Sequence, residues 1–234
     1  MSTSTPVAIV LGAGMGGRGV SLALAGRAHV IVVDRDETLA EAAAQAVIAA
    51  GGTAEASTVN LLDFDAVEAF RDDLLDRHGR IDAVVHLVGG WQGSKTVDRK
   101  AAEQFAALEP GIFGTLRIAS AVFREALIAA PSGRFFILSS VQAQSPSAGN
   151  AAYASIKAAT ETWTKALGAS FADTPARAVI LAVNALVNDE MRARNPDKAF
   201  TTFTDTSVVG ATVADLMADP AVENGARIVL VPQG

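Results

Sequence analysis

The chain has 234 residues, half of them hydrophobic, with 19 Lys and Arg against 25 Asp and Glu for a formal charge of −6. It has no cysteine, which excludes disulfides and thiolate chemistry, and its three histidines, His29, His78 and His86, stand at no metal-ligand spacing, so no metal site is expected. No basic block points to nucleic acid, no apolar run reaches the ~18–20 residues that span a bilayer, and residues 1–6 lack the basic and apolar parts of a signal peptide, so a cytoplasmic protein without nucleic-acid or membrane partners is expected.

Strand-like and helix-like patterns then alternate to the end of the chain. Val7–Leu11 is a short apolar run stopped by glycines, followed by an alanine-rich apolar helix over Val20–Ala25 and a second strand, His29–Val33. Glu37–Ala50 is built of strong helix formers and ends at Gly51-Gly52. Ala83–Leu87, Arg134–Leu138 and Arg177–Val183 are further runs of strand length, Asn150–Phe171 is one long helix, Thr206–Met217 another, and Ala226–Val231 a last strand. Continuous apolar strands alternating with helices imply a parallel sheet covered on both faces, an α/β doubly wound fold. No linker or composition shift divides the chain, so residues 1–234 form one domain.

The first strand runs into Gly12-Ala13-Gly14-Met15-Gly16-Gly17-Arg18-Gly19 and then a helix. Glycines there let the backbone turn tightly and approach a pyrophosphate, while the helix N-terminus offers N–H groups and partial positive charge. Asp34 closes the second strand, 22 residues after Gly12, where a carboxylate accepts the ribose hydroxyls of NAD and repels the 2′-phosphate of NADP. Arg35 or Arg18 would reverse that preference by holding the phosphate.

Leu138-Ser139-Ser140-Val141 and Tyr153-Ala154-Ser155-Ile156-Lys157 form the most informative stretch. A tyrosine and a lysine four apart on a helix share a face, and an ammonium there favours the phenolate, lowering the phenol pKa from ~10 toward working pH. Such a tyrosine exchanges a proton with a carbonyl or alcohol oxygen. Ser140, ending a strand 13 residues before Tyr153, can hold the same oxygen by a hydrogen bond.

With these motifs, together with Gly79-Arg80-Ile81-Asp82-Ala83-Val84-Val85 and the closing Gly225-Ala226-Arg227, the chain resembles the short-chain dehydrogenase/reductase family over essentially its whole length. The resemblance implies a Rossmann-type sheet of about seven parallel strands and hydride transfer between a nicotinamide and a carbonyl/alcohol pair. It implies Tyr153 as acid/base, Lys157 as its partner and ribose ligand, and Ser140 as the group that orients the substrate. It further implies cofactor contacts from Gly12, Met15, Gly16, Gly17, Asp34, Arg35, Asn60, Leu61, Val88, Gly89 and Leu186, a substrate lid near residues 188–204, and a homodimer or homotetramer. The expected oligomer surface includes Phe113, Ile118, Val122 and Phe123.

Several positions depart from the family pattern. Leu11 replaces a threonine before the glycine loop, and Arg18 stands where its last glycine belongs, with Gly19 one residue later. Asn60 replaces an aspartate, His86-Leu87-Val88-Gly89 replaces Asn-Asn-Ala-Gly, and Val183-Asn184 replaces Pro-Gly. Gly111 falls where the family has an asparagine that anchors a relay water, in a segment whose Pro110-Gly111 pair points to a kink or break. The expectation there is a water held by backbone carbonyls at the break rather than by Glu109. Gly90–Ser94, Gln142–Asn150 and the segment 188–204 are the expected substrate side, with Trp91 able to stack on a flat substrate or to cap the surface. The departures leave two other functions open: a non-catalytic nucleotide-binding sensor or partner subunit, and epimerisation or dehydration on the same scaffold.

Overall fold

Successive residues of the first strand, β1 (Val7–Leu11), enter two different cores. Val7, Ile9 and Leu11 pack with Phe70 and Leu74 of α3 (Phe64–His78), Phe123 of α5 (Thr115–Ala129) and Leu167 of α6 (Ala151–Ala169). Ala8 and Val10 pack with Val20 of α1 (Met15–Ala23), Val47 of α2 (Glu37–Ala49) and Val209 and Val213 of α8 (Thr206–Ala218). A strand buried on both faces must be apolar at every position, which is why it reads as an unbroken run. The computed structural model describes residues 5–232; residues 1–4 of the N-terminal segment and residues 233–234 of the expected domain lie outside the described residues.

Seven parallel strands form the central sheet in the order β3-β2-β1-β4-β5-β6-β9, with β2 His29–Val33, β3 Thr53–Ser57, β4 Ala83–His86, β5 Arg134–Ser140, β6 Arg177–Val183 and β9 Ala226–Val229. The doubly wound parallel sheet read from the sequence is therefore the observed fold. Several elements escaped that reading, the helix α3 among them. The edge strand β3 is Thr-Ala-Glu-Ala-Ser, half exposed and poor in β-branched residues. A second sheet pairs β7 (Ala185–Val187) with β8 (Phe203–Asp205), three residues each, too short for periodicity to show. A six-residue helix, α7 (Asp189–Arg194), stands between them.

The expected break at Pro110 is instead a π-helical turn. α4 (Arg99–Glu109) continues through Pro110–Gly114 directly into α5, and the Thr115 N–H reaches back to the Pro110 carbonyl. Proline lacks the N–H an α-turn needs, and the wider turn absorbs the mismatch without ending the helix. The proposed oligomer face also needs correction. Val122 and Phe123 are buried in the protein's own core, where Phe123 meets Phe70 edge to face, because this stretch of α5 faces the sheet and α3. Phe113 and Ile118 remain partly exposed.

Arg134, the first residue of β5, is fully buried and spends its guanidinium on backbone carbonyls. It donates to Leu216 and Asp219 at the C-terminal end of α8, to Pro175 and to Gly133. Among the described residues, no helix is long and apolar enough to cross a membrane.

Candidate active site

Strand order reverses between β1 and β4, so the loops leaving their carboxyl ends diverge and open a crevice. Gly12 turns the chain out of β1 at φ +99°, and a Cβ on it would lie 3.0 Å from the Val88 nitrogen in the loop after β4. A Cβ on Gly17 would fall 1.7 Å from the Gly12 carbonyl oxygen. The β1–α1 loop closes on itself at a distance that only hydrogen permits, and α1 starts at Met15 with its first N–H groups toward the crevice. Gly19 does not restore the displaced loop glycine. It packs against Thr206 at the start of α8 and serves helix contact.

Two adjoining cavities fill the crevice, of about 630 Å³ and about 590 Å³, sharing Gly14, Leu87, Val88, Gly89 and Gly90. Met15, Gly16, Gly17, Leu186, Tyr153 and Lys157 line the first. Gly12, Asp34, Arg35, Asn60 and Leu61 line the second. Every expected cofactor contact thus borders one crevice. The Asp34 carboxylate accepts from the Ala13 N–H at 2.7 Å and the Asp36 N–H at 3.0 Å, so it also fixes the glycine loop. Arg18 is exposed on α1 and lines neither cavity.

Tyr153 and Lys157 stand one turn apart on α6, whose first turn follows a capping box between Ser147 and Asn150. The Lys157 Nζ donates to the Leu138 carbonyl at 2.7 Å and lies 5.7 Å from the centre of the Tyr153 ring. Burial pulls the lysine down to about 8, with the Glu161 carboxylate resisting the fall. Burial pushes the Tyr153 phenol up to about 12. The expected lowering of the phenol is therefore not what this geometry gives: the ammonium is committed to a carbonyl, and desolvation of the phenolate prevails. Ser140 is buried and lines neither cavity, so the structure does not bring it to the cavity surface beside Tyr153 and Lys157; its hydroxyl accepts from the Gln142 N–H at 3.2 Å.

Polar side chains that the sequence did not reveal, all buried except the partly buried Arg227, surround this trio. The Glu161 carboxylate accepts from the Ser139 hydroxyl at 2.6 Å and from Arg227 Nε at 2.9 and 3.1 Å. A second Arg227 nitrogen donates to the Ser140 carbonyl at 3.1 Å. On the other side, Thr115 Oγ1 donates to the Gly111 carbonyl at 2.8 Å and lies 2.8 Å from His86 Nε2. With the hydroxyl hydrogen so used, the imidazole must be the donor. Burial, reinforced by the Lys157 charge, holds His86 down at about 3, so the ring is neutral. One of the backbone carbonyls at this turn, that of Gly111, thus already accepts from a threonine hydroxyl. The one sequence signal was helical spacing: Glu161 follows Lys157 by four residues, as Lys157 follows Tyr153.

Trp91 is 65% exposed at the cavity mouth and lies against Gly93. In the segment 188–204, Phe200 is buried with φ +51° and meets Phe203 edge to face, while Phe203 lines the cavity. Far from the crevice, His29, Glu55 and His78 converge with donor atoms within 4.8 Å, a cluster their sequence spacing hid. The Arg77 guanidinium donates to both Glu55 oxygens at 2.8 and 2.9 Å and lies 3.2 Å from His78 Nε2, so a cationic side chain already fills that space.

Comparison with known proteins agrees with this architecture. A 3-oxoacyl-[acyl-carrier-protein] reductase of Synechocystis sp. is 30% identical over 169 residues, covering 71% of this chain and 68% of that protein. Other curated relatives are longer, the matched stretch spanning as little as 27% of their length. Among solved structures, NAD+-bound xylitol dehydrogenase superimposes with a TM-score of 0.84 at 18% identity over 100% of both chains. A short-chain dehydrogenase from Shigella flexneri complexed with NADP gives 0.85 at 16% identity over 97% of each. At such identities these two likenesses speak for the fold. The profile described as short chain dehydrogenase matches residues 6–199, and on that match the chain belongs to the short-chain dehydrogenase family.

Proposed function

We propose that the protein is an NAD(P)-dependent oxidoreductase interconverting a carbonyl and an alcohol, with Tyr153 as acid/base. The observation that carries the reading is that Tyr153 and Lys157 line the same cavity as the glycine loop. The cradle fits a dinucleotide: the backbone at Gly12 and Gly17 closes where side chains are excluded, and a helix N-terminus faces the crevice. When bound, the nicotinamide supplies or accepts the hydride.

The chain's own residues bind, orient and move the proton. Gly14, Met15 and Gly16 would hold the phosphates, and Asn60 and Leu61 the adenine end, of a bound dinucleotide. Asp34 keeps lone pairs for the ribose hydroxyls beyond the two backbone donors it already accepts, which favours NAD; Arg35 at the rim is the route to NADP. Lys157 holds a positive charge behind the phenol, so a proton leaving Tyr153 toward a substrate alkoxide leaves a phenolate facing an ammonium. Ser140 would orient the substrate oxygen through its remaining hydroxyl hydrogen. Residues 188–204 cover the substrate side as a lid built on β7 and β8, and the protein assembles as a homo-oligomer.

Tyr153→Phe keeps the ring and removes the acid. Turnover on a carbonyl panel with NADH or NADPH should fall at least ~10²-fold while fluorescence titration shows the cofactor still bound. Wild-type turnover by the variant would overturn the mechanism. The high phenol pKa favours one rival, a nucleotide-binding module without catalysis; tight cofactor binding with no turnover on any carbonyl would establish that reading instead.

A further inference from the structure

We propose that Glu161 and Arg227 are positioning residues of the reaction: together they set the charge state of Lys157 and hold the end of β5 on which Ser140 stands. The inference rests on the proposed function for its meaning, though not for its test. Glu161 is buried on α6, one turn beyond Lys157, as Lys157 is one turn beyond Tyr153, so the three share a face. Its carboxylate is the charge that opposes the desolvation of the lysine.

Arg227 belongs to the last strand, 66 residues away in sequence and separated from β5 by β6 in the sheet. Its fork spans the gap, with Nε on the Glu161 carboxylate and a terminal nitrogen on the Ser140 carbonyl. Ser139 completes the network by donating its hydroxyl to Glu161. Glu161 is buried and Arg227 nearly so, and an ion pair largely removed from water contributes little net stability over an apolar pair of the same shape, so its expected value lies in what it fixes. Here it ties the carboxyl end of β5, the catalytic helix and the closing strand together one helical turn from Lys157.

The titratable and charged groups around Lys157, among the described residues, are Tyr153 and Glu161 on its own helix, neutral His86 on β4, and Arg227 on β9 one step behind Glu161. The sign of each perturbation follows. Removing the Glu161 charge leaves burial unopposed, and the lysine titrates lower. Removing the Arg227 charge frees the carboxylate to act on the lysine at full strength, and the lysine titrates higher. Two partners of one ion pair are thus expected to shift the same group in opposite directions, which loss of packing alone does not do.

The test is NMR titration of 13Cε-lysine in the whole protein, with Lys157→Met identifying the resonance, on Glu161→Gln, Arg227→Gln and Arg227→Lys. Glu161→Gln should lower the Lys157 midpoint by about one unit, Arg227→Gln should raise it, and Arg227→Lys, which keeps the charge, should restore it. In turnover, the alkaline limb of the kcat–pH profile should move with the midpoint. If either single variant unfolds, Glu161→Gln/Arg227→Met leaves no unpaired buried charge at the pair and should titrate low, like Glu161→Gln. An unmoved midpoint, or movement in the same direction in both single variants, overturns the proposal. The NMR readout needs no turnover, so an inactive wild type would sink the dehydrogenase reading and leave this result standing.

Discussion

The two walls of the crevice are made in opposite ways. The β1–α1 wall is shaped by missing side chains: Gly12 and Gly17 touch where a methyl group would collide. The α6 wall is shaped by polar side chains brought together from four elements: buried His86 of β4, Thr115 of α5 and Glu161 of α6, and partly buried Arg227 of β9. The first wall should be indifferent to pH and intolerant of volume. The second should accept modest changes of volume and respond to charge and proton concentration.

The largest effect should come from adding volume to the first wall. Gly17→Ala places its Cβ on the Gly12 carbonyl and should weaken cofactor binding at least ~10²-fold or unfold the protein, since buried backbone cannot yield as a side chain does. Gly14→Ala, whose Cβ meets no protein atom within 4 Å, should fold as wild type does and lose less affinity than Gly17→Ala, only what a methyl group facing the crevice costs. Equal behaviour of the two in a fluorescence titration would dissolve the contrast between the walls.

Removing charge from the second wall should separate stability from activity. Burial pulls Lys157 down to about 8 from the ordinary 10.5, so the fold carries the cost of burying an ammonium fully below pH 8 and loses it as pH rises toward 10.5. Lys157→Met should abolish turnover and raise the unfolding free energy by roughly 3 kcal/mol at pH 7, a gain that shrinks above pH 8. Urea melts at pH 7 and pH 10 check both the sign and the window; a destabilised variant at pH 7 would refute it.

Next comes His86. Its folded pKa of about 3, against 6.5, means the neutral ring contributes stability that is complete above pH 6.5 and drains away as pH falls toward 3. The loss should approach ~1.4 kcal/mol per pH unit within that window, and His86→Asn should flatten the slope in acid urea melts while still donating to Thr115. An unchanged slope would mean that the ring is not the acid-sensitive group. The smallest effect is expected at Gly111, where a Cβ would meet nothing within 4 Å. Gly111→Asn should change turnover by less than about 3-fold, because Thr115 already engages the carbonyl there, and Glu109→Gln should do no more.

The same contrast explains what the sequence disclosed. The glycine wall is local: strand, glycines and helix follow one another within a dozen residues, so the motif carries the geometry. Tyr153 and Lys157 are legible for the same reason, being one turn apart. The polar network is not, because Glu161 meets a residue 66 positions later and His86 meets Thr115 29 positions later. Only the register of β4, β5, β6 and β9 creates those neighbours. The apolar strands announced themselves through burial on both faces, while β3 and the three-residue strands β7 and β8 lacked either the pattern or the length. Val122 and Phe123 were misread because an apolar pair on a helix looks the same whether it faces a partner subunit or the sheet beneath it. The phenol pKa was misjudged because spacing reports how near a charge is and is silent about where its hydrogen bonds go.

The buried guanidinium of Arg134 has a consequence at the other end of the molecule. It grips the last carbonyls of α8 and so acts as the clamp of a cantilever. The free end of that beam lies against α1, where Thr206 meets Gly19 and Gly210 meets Ala23 and the Gly19 carbonyl with no room to slide. The helix whose N-terminus opens on the crevice is thereby held in register by a residue at the start of β5, and the stiffness of the glycine wall is set at the foot of the sheet, on the side away from the crevice.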